Sequence, residues 1–382
     1  MKTMKKVYFP NLDGLRFYAF LAVFFAHSFW TEFDYMRLNP AFHFLKEVAY
    51  KGVLGVNFFF VLSGFLITYL LLEEKAATGK VNIPAFYMRR ILRIWPLYYF
   101  VVFVGFVVVP FVQSRLGQPT PERGNILYYL AFLGNFDVKP TSAVLGILWS
   151  IAVEEQFYLV WPVVFSIVPP RYYRFLFPVI IAISIPTQQM SYPASGSLLY
   201  ASPFVCMADL AMGGWCAYGV FSSEKVRTFL LNLSRQAIVS IYVIGIAYFF
   251  AMYRLSELTP VFGTFGRLFL SMFFGFIILE QNYSVNSFYK VSNFKTVSVL
   301  GLYTYSLYML HFMCIYVVNK VLAVLHFNTQ FYQVLVVQTV ISFVASIIIA
   351  WLSFNYLEKF FLSLKHRFNA RNSPTAKVSV LS

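Results

Sequence analysis

Long apolar runs follow one another along the chain, and short polar stretches separate them. A helix needs about 20 mostly apolar residues to cross a bilayer. Ten such runs can be read, roughly over 12–30, 52–72, 95–113, 146–168, 175–190, 200–220, 237–253, 264–280, 297–325 and 333–357. They are continuous rather than alternating, which predicts helices and argues against a membrane β-barrel. The fifth run is short for a span, and a weaker one near 125–133 predicts an interfacial helix. The pattern predicts an all-α polytopic membrane protein with about ten transmembrane helices and no soluble domain.

Composition sharpens that picture. Apolar residues make up 59% of the chain and charged residues 12%, against about 25% charged in a typical soluble domain. The 45 Phe equal all Asp, Glu, Lys and Arg together. A soluble fold has too much surface to hide so many rings, and disorder needs low hydrophobicity.

The net charge is +15. On a soluble domain that would point to nucleic acid; here it asks which side of the bilayer holds the cations, and no nucleic-acid partner is expected. With the N-terminus cytoplasmic, the segments on that side hold 20 Lys and Arg and those on the other side hold 7. The remaining three, Arg16, Arg267 and Lys320, lie within spans. This asymmetry predicts both termini cytoplasmic and an even number of spans. Asp13 and Arg16 interrupt the first run and no small-x-small cleavage site follows, which argues against a signal peptide. Residues 1–360 read as one membrane domain and 361–382 as a partly disordered cytoplasmic tail. Cys206 and Cys216 share one run, about 15 Å apart at helical rise, too far to bridge. With Cys314 they read as small buried side chains, and no Cys/His cluster has metal-ligand spacing, so no metal is expected.

Ionisable groups inside spans are costly and usually functional. The candidates are Arg16, His27, Glu154, Glu155, Asp209, Arg267, Glu280, His311 and Lys320. Arg267, Glu280 and Lys320 lie near span ends, where snorkelling accounts for them. Arg16 and His27 stand eleven positions apart. On a helix that is about 20° past three full turns, so they share one face roughly 16 Å apart along the axis. In the fourth run, Glu154 and Glu155 point about 100° apart, and Ser150, Glu154 and Tyr158 form one stripe. If spans one and four touch, a carboxylate beside His27 would raise its basicity and fix its tautomer, giving a base suited to a hydroxyl. In the second run Ser63 and Gly64 allow close helix approach. The cytoplasmic loop ends with Arg89, Arg90 and Arg93; Arg90 and Arg93 share a helix face, which suits bidentate phosphate binding or anchoring to lipid headgroups. His311 reads as a packed, hydrogen-bonded or supporting polar group.

Together these segments resemble the acyltransferase-3 family of integral-membrane O-acyltransferases. Arg16 to His27, after Leu12-Asp13-Gly14-Leu15, matches its Arg/Lys-x10-His pattern. The stretch Phe-Phe-Val-Leu-Ser-Gly-Phe-Leu-Ile (59–67), the Arg-x-x-Arg of Arg90 and Arg93, and Trp-Ser-x-x-x-Glu-Glu-Gln-Phe-Tyr (149–158) follow in the family's order. The resemblance is thinner after residue 170. It implies transfer of an acyl group, most often acetyl, from cytoplasmic acyl-CoA to a hydroxyl of a surface polysaccharide, lipid-linked glycan or similar acceptor, without a metal. It further implies a bacterial inner-membrane location. Arg89, Arg90 and Arg93 would hold the donor, Arg16 would help to place it, and His27 would act as general base with Glu154 or Glu155 orienting it. Trp149, Ser150, Tyr158 and His311 would contact substrate or support these groups. Some members carry a fused extracytoplasmic hydrolase-like domain. None is read in this chain, so direct acylation or hand-over to a separate extracytoplasmic protein is expected. The rival reading is a proton-coupled transporter or flippase of a lipid-linked saccharide, using Glu154, Glu155 and Asp209 as a relay.

Overall fold

The computed structural model describes residues 8–117, 124–137, 142, 144–191 and 202–368. Most of the tail predicted to be disordered lies outside these residues. The main helices are α1 (Pro10–Ser28), α2 (Pro40–Tyr50), α3 (Gly55–Thr78), α4 (Ile83–Phe103), α5 (Leu148–Ile167), α6 (Tyr173–Ser191), α7 (Pro203–Ser222), α8 (Glu224–Leu231), α9 (Arg235–Leu258), α10 (Pro260–Tyr283), α11 (Lys295–Leu302), α12 (Thr304–Val324) and α13 (Thr339–Ser353). Among the described residues every regular element is helical. Local sequence sets many starts. Asn39, Asn82, Ser223, Ser234 and Thr259 accept hydrogen bonds from first-turn amides of α2, α4, α8, α9 and α10.

Each of the ten predicted runs is helical over most of its described residues, and the ninth is split at Tyr303 between α11 and α12. Among the described residues seven stretches are each long and apolar enough to cross a membrane: Pro40–Thr78, Ile83–Arg115, Pro203–Ser222, Arg235–Leu258, Val261–Tyr283, Thr304–Val324 and Gln333–Leu364. Leu148–Ile167 and Pro170–Thr187 qualify only as a pair, which makes eight. The first run, α1, is 19 residues long, but Asn11, Asp13 and Arg16 make its first two turns polar. The fifth is interrupted by Pro178 and Pro186.

The chain divides into two compact units, Met1–Glu73 with Val168–Thr304, and Glu74–Ile167 with Tyr305–Ser382. In the first unit, α1, α3, α7 and α10 bury Leu12, Leu15, Phe58, Val61, Phe65, Val220, Leu270 and Phe274 in one core. Glycines let these backbones touch. A Cβ on Gly64 would stand 1.9 Å from the Leu210 carbonyl oxygen, and one on Gly213 would stand 1.8 Å from that of Val61. This reciprocal contact joins α3 to α7 as the sequence predicted for Ser63-Gly64. Gly52 and Gly55 meet α1 in the same way, at the carbonyl oxygens of Ala22 (2.0 Å) and Ala19 (2.6 Å).

The same unit corrects two readings. Arg267 does not snorkel: its Nε and Nη2 donate to Asp209 Oδ2 at 3.0 and 2.6 Å. Asn57 Nδ2 donates to the same oxygen at 2.9 Å, and the Ser271 hydroxyl donates to Oδ1. A fully buried carboxylate needs this pairing, because desolvation without it costs several kcal/mol. Glu280 is likewise fully buried, and its Oε2 accepts from Tyr242 Oη (2.9 Å) and Gln281 Nε2 (2.8 Å). Lys320 is placed over the Tyr316 ring, 6.0 Å from its centre. The three cysteines are free.

In the second unit, α4, α5, α12 and the last helices pack together, and the predicted interfacial run folds as a short helix, Ile126–Leu130. After it, Phe132 adopts φ 55° and stacks on Tyr98 with ring centres 4.2 Å apart. Its carbonyl accepts from Gln156 Nε2 at 2.7 Å, which holds a backbone shape uncommon for a bulky residue. Three π-helical segments widen the helices of this unit: Val104–Val108, Gln333–Gln338 and Phe354–Glu358.

Candidate active site

The candidate residues divide between the two units. Arg16 and His27 belong to the first, and Arg89, Arg90, Arg93, Trp149, Ser150, Glu154, Glu155, Tyr158 and His311 to the second.

In the first unit one helix carries both groups. Asp13, in the first turn of α1, receives Arg16 Nη1 on Oδ1 at 2.6 Å and Tyr8 Oη on Oδ2 at 3.2 Å. The acid suits the positive end of the helix dipole and fixes the guanidinium. The Arg16 side chain keeps 21% of its surface exposed. His27 occupies the last turn, half-buried. The two glycine contacts and the fit of Gly301 against the Asp13 carbonyl oxygen (2.1 Å from an added Cβ) hold α1 along its length.

In the second unit α4, α5 and α12 supply the rest. The adjacent carboxylates serve different partners, as their divergence on the helix requires. Glu155 Oε2 accepts from Trp95 Nε1 at 3.0 Å, while its buried Oε1 has no hydrogen-bond partner. Glu154 Oε2 accepts from Tyr158 Oη at 3.0 Å, one turn along. Ser150 Oγ and Tyr308 Oη are 2.7 Å apart. His311 Nδ1 lies 2.7 Å from the Tyr308 carbonyl oxygen, a contact that favours a proton on Nδ1. Trp149 lies in the first turn of α5.

The three arginines differ. Arg89 forms an ion pair with Glu74 at 3.1 Å and donates to the Phe368 carbonyl oxygen at 2.8 Å, so its fork is already engaged. Arg90 lies over the rings of Phe86 and Tyr158, at 5.7 and 5.4 Å, and its buried Nε has no hydrogen-bond partner. Arg93 lies in α4 three residues after Arg90, on the same side of the helix.

Sequence reasoning missed several members of this cluster. Trp95 followed the arginines in sequence, but nothing local tied it to a carboxylate 60 residues away. Glu358 ends a π turn, buried, where it accepts from Ser306 Oγ (2.5 Å) and Ser353 Oγ (3.0 Å). A carboxylate ending the last apolar run was the available signal. Tyr305 Oη donates to the Ile94 carbonyl oxygen at 2.7 Å and links α12 to α4. Among the described residues no three His, Cys, Asp or Glu side chains gather as a metal would need.

The family described as "Acyltransferase domain" matches residues 9–354. The peptidoglycan O-acetyltransferase OatA of Listeria monocytogenes is 25% identical over 370 residues, 92% of this chain and 55% of that protein. The O-acetyltransferase OatA of Staphylococcus aureus is 27% identical over 337 residues, 82% of this chain and 51% of that protein. A putative peptidoglycan O-acetyltransferase of Bacillus subtilis, YrhL, is 34% identical over 169 residues, 42% of this chain and 24% of that protein. The chain spans about half the length of the first two relatives. No solved structure matches it.

Proposed function

The chain belongs to the acyltransferase-3 family, and from that premise we propose that it transfers an acetyl group from cytoplasmic acetyl-CoA to a hydroxyl of a peptidoglycan-like glycan at the bacterial inner membrane. The observation that carries the reading is the single helix α1, with a guanidinium held by Asp13 near one end and an imidazole in the last turn of the other. A donor that brings several phosphates and an acceptor that brings a hydroxyl call for such separated groups.

In this reading Arg90 and Arg93 bind donor phosphates, and Arg16 helps to place the donor. Arg90 is the more distinctive, since its buried Nε has no partner of its own. His27 removes the acceptor's hydroxyl proton. The oxygen attacks the thioester carbonyl carbon, the C–S bond breaks, and the proton on His27 passes to the departing thiolate. Glu155, whose buried Oε1 has no hydrogen-bond partner, is the better placed of the two carboxylates to take part in the reaction. Glu154 already accepts from Tyr158. Both termini are cytoplasmic, as the Lys and Arg distribution predicts. The product either stays on this chain's own acceptor or passes to a separate extracytoplasmic protein. The transporter reading needed Asp209 as a proton carrier, and a carboxylate held by Arg267, Asn57 and Ser271 suits that role poorly.

The test uses detergent-purified protein and labelled acetyl-CoA. Wild type is expected to release CoA. His27→Ala should lose turnover by about 10²–10⁴-fold yet still bind donor, and Arg90→Ala with Arg93→Ala should lose donor binding. If wild type binds neither acetyl-CoA nor a longer acyl-CoA, the enzyme reading fails.

A further inference from the structure

An apolar groove of about 270 Å³ runs beside α1 in the first unit. Its wall on α1 is the stripe Leu15, Tyr18, Ala19 and Ala22. That stripe lies roughly 120° round the helix from Arg16 and His27, so the groove is separate from the face that carries them. The other long walls come from α9, between Tyr242 and Phe249, and from α10, between Gln281 and Phe274. The three helices run in step. Asn11 Nδ2 donates to the Gln281 carbonyl oxygen at 2.7 Å, and Tyr242 Oη donates to Glu280 Oε2 at 2.9 Å. Leu15, Tyr242 and Gln281 therefore share one end. Ala22, Phe249 and Phe274 share the other, about 10 Å further along.

The two ends differ. The deep end is closed by Gly55 and Phe58 of α3, and Phe58 meets the Phe274 ring edge-on at 5.4 Å. At the other end the hydroxyls of Tyr18 and Tyr289 are hydrogen-bonded to each other, and Tyr289 stacks on Phe294 with ring centres 4.9 Å apart. Lys290 follows Tyr289 directly. Its Nζ donates to the Glu280 and Gln281 carbonyl oxygens at 3.0 and 2.6 Å, which uses two of its three N–H bonds. From 281 to 296 the chain holds Lys290, the exposed Lys295 and no carboxylate. Glu280 is fully buried and held by Tyr242 and Gln281. On α9 only Ile238 and Gly245 are buried, so one long wall of the groove is a helix that faces lipid over most of its surface.

We propose that this groove seats one hydrocarbon tail of an anionic phospholipid, with the lipid phosphate at Lys290 and Lys295. A length of about 10 Å takes roughly eight extended single bonds, part of one tail. Burying the tail gives little drive of its own, because lipid is as apolar as the groove. Selection comes from the charged end, where two lysines in a loop without acids stand at the rim on which the apolar lining stops. In the orientation that the Lys and Arg distribution predicts, the lipid belongs to the cytoplasmic leaflet. A seated tail packs on Ala19 and Ala22 and so supports the helix that carries Arg16 and His27.

The test uses the full-length protein in phosphatidylcholine nanodiscs with a trace of phosphatidylglycerol that carries a photoreactive diazirine midway along one tail. After irradiation, peptide mass spectrometry should find adducts on Phe249, Phe274 or Ile277 more densely than on Val243 and Ile244, which are 62% and 68% exposed on α9. The same tail on phosphatidylcholine should label the groove less, by roughly fivefold for each lysine that meets the phosphate. Added salt should narrow that difference. Ile277→Trp should fill the groove and remove its adducts. Lys295→Gln, at an exposed position, should lose about fivefold of the headgroup preference and gives a readout if the tryptophan variant does not fold. Equal labelling by the two headgroups, adducts as dense on Val243 and Ile244 as in the groove, or a preference unmoved in Lys295→Gln overturns the proposal. So does displacement of the label by a long-chain polyprenyl phosphate at a lower concentration than by unlabelled phosphatidylglycerol, which would make the groove the seat of a lipid carrier. Acyl transfer is no part of the readout, so the outcome stands apart from the acyltransferase reading.

Discussion

At the residue scale the adjacent Glu154 and Glu155 give a direct comparison. Glu155→Gln keeps the size and can still accept from Trp95, but it removes the charge behind Oε1. Transfer is expected to fall by about 10–100-fold with donor affinity unchanged, whereas Glu154→Gln should cost less. Steady-state kinetics with separate donor binding checks both, and a larger effect at Glu154 would reverse the assignment. Asp209 makes a stability prediction. Removing one partner of a buried pair costs about 3–5 kcal/mol, so Arg267→Met alone should lower Tm sharply. Arg267→Met together with Asp209→Leu should recover part of the loss, because no charge is then left stranded. These residues were legible in the sequence as charges in apolar runs, and Arg16, His27, Glu154 and Glu155 were singled out on that ground. Their partners were not. Asn57 and Asp209 are 152 positions apart, and no local spacing announces such a bond.

At the element scale the helices were readable because the apolar runs are long and continuous. Their packing was readable only where small residues marked it. Gly64 and Gly213 are the clearest case, each leaving empty the space that the other's helix occupies. Gly64→Ala or Gly213→Ala should push α3 and α7 apart and reduce the folded yield severely in size-exclusion profiles. Gly79 has φ +76° and open space around a Cβ, so Gly79→Ala should cost only about 1 kcal/mol. Equal losses at all three would show that packing is not the limiting quantity. The snorkelling readings of Arg267 and Glu280 failed for the same reason. Position along one helix says where a charge stands, but its partner sits on another helix. The π segments had no sequence signal in the apolar runs, yet one of them ends on the buried Glu358.

At the scale of the whole molecule the distribution of cations sets a topology that can be tested directly. A cysteine at Lys46 should react with an impermeant thiol reagent added to intact cells, and one at Lys365 should react only after the membrane is opened. The opposite pattern would invert the donor and acceptor ends of α1. The Asp209 cluster has a further consequence, for the order in which the protein is made. Synthesis runs from the N-terminus, so the helix with Asn57 and then the helix with Asp209 enter the membrane before Arg267 exists. During the intervening 58 residues that carboxylate has an amide for company and no cation. Leaving the insertion machinery early would therefore strand a charge in lipid, and α10 supplies the group that releases α7 from it. Assembly of this unit is expected to wait for a late-arriving arginine, and with Arg267→Met α7 should stay cross-linkable to the translocon longer than in wild type.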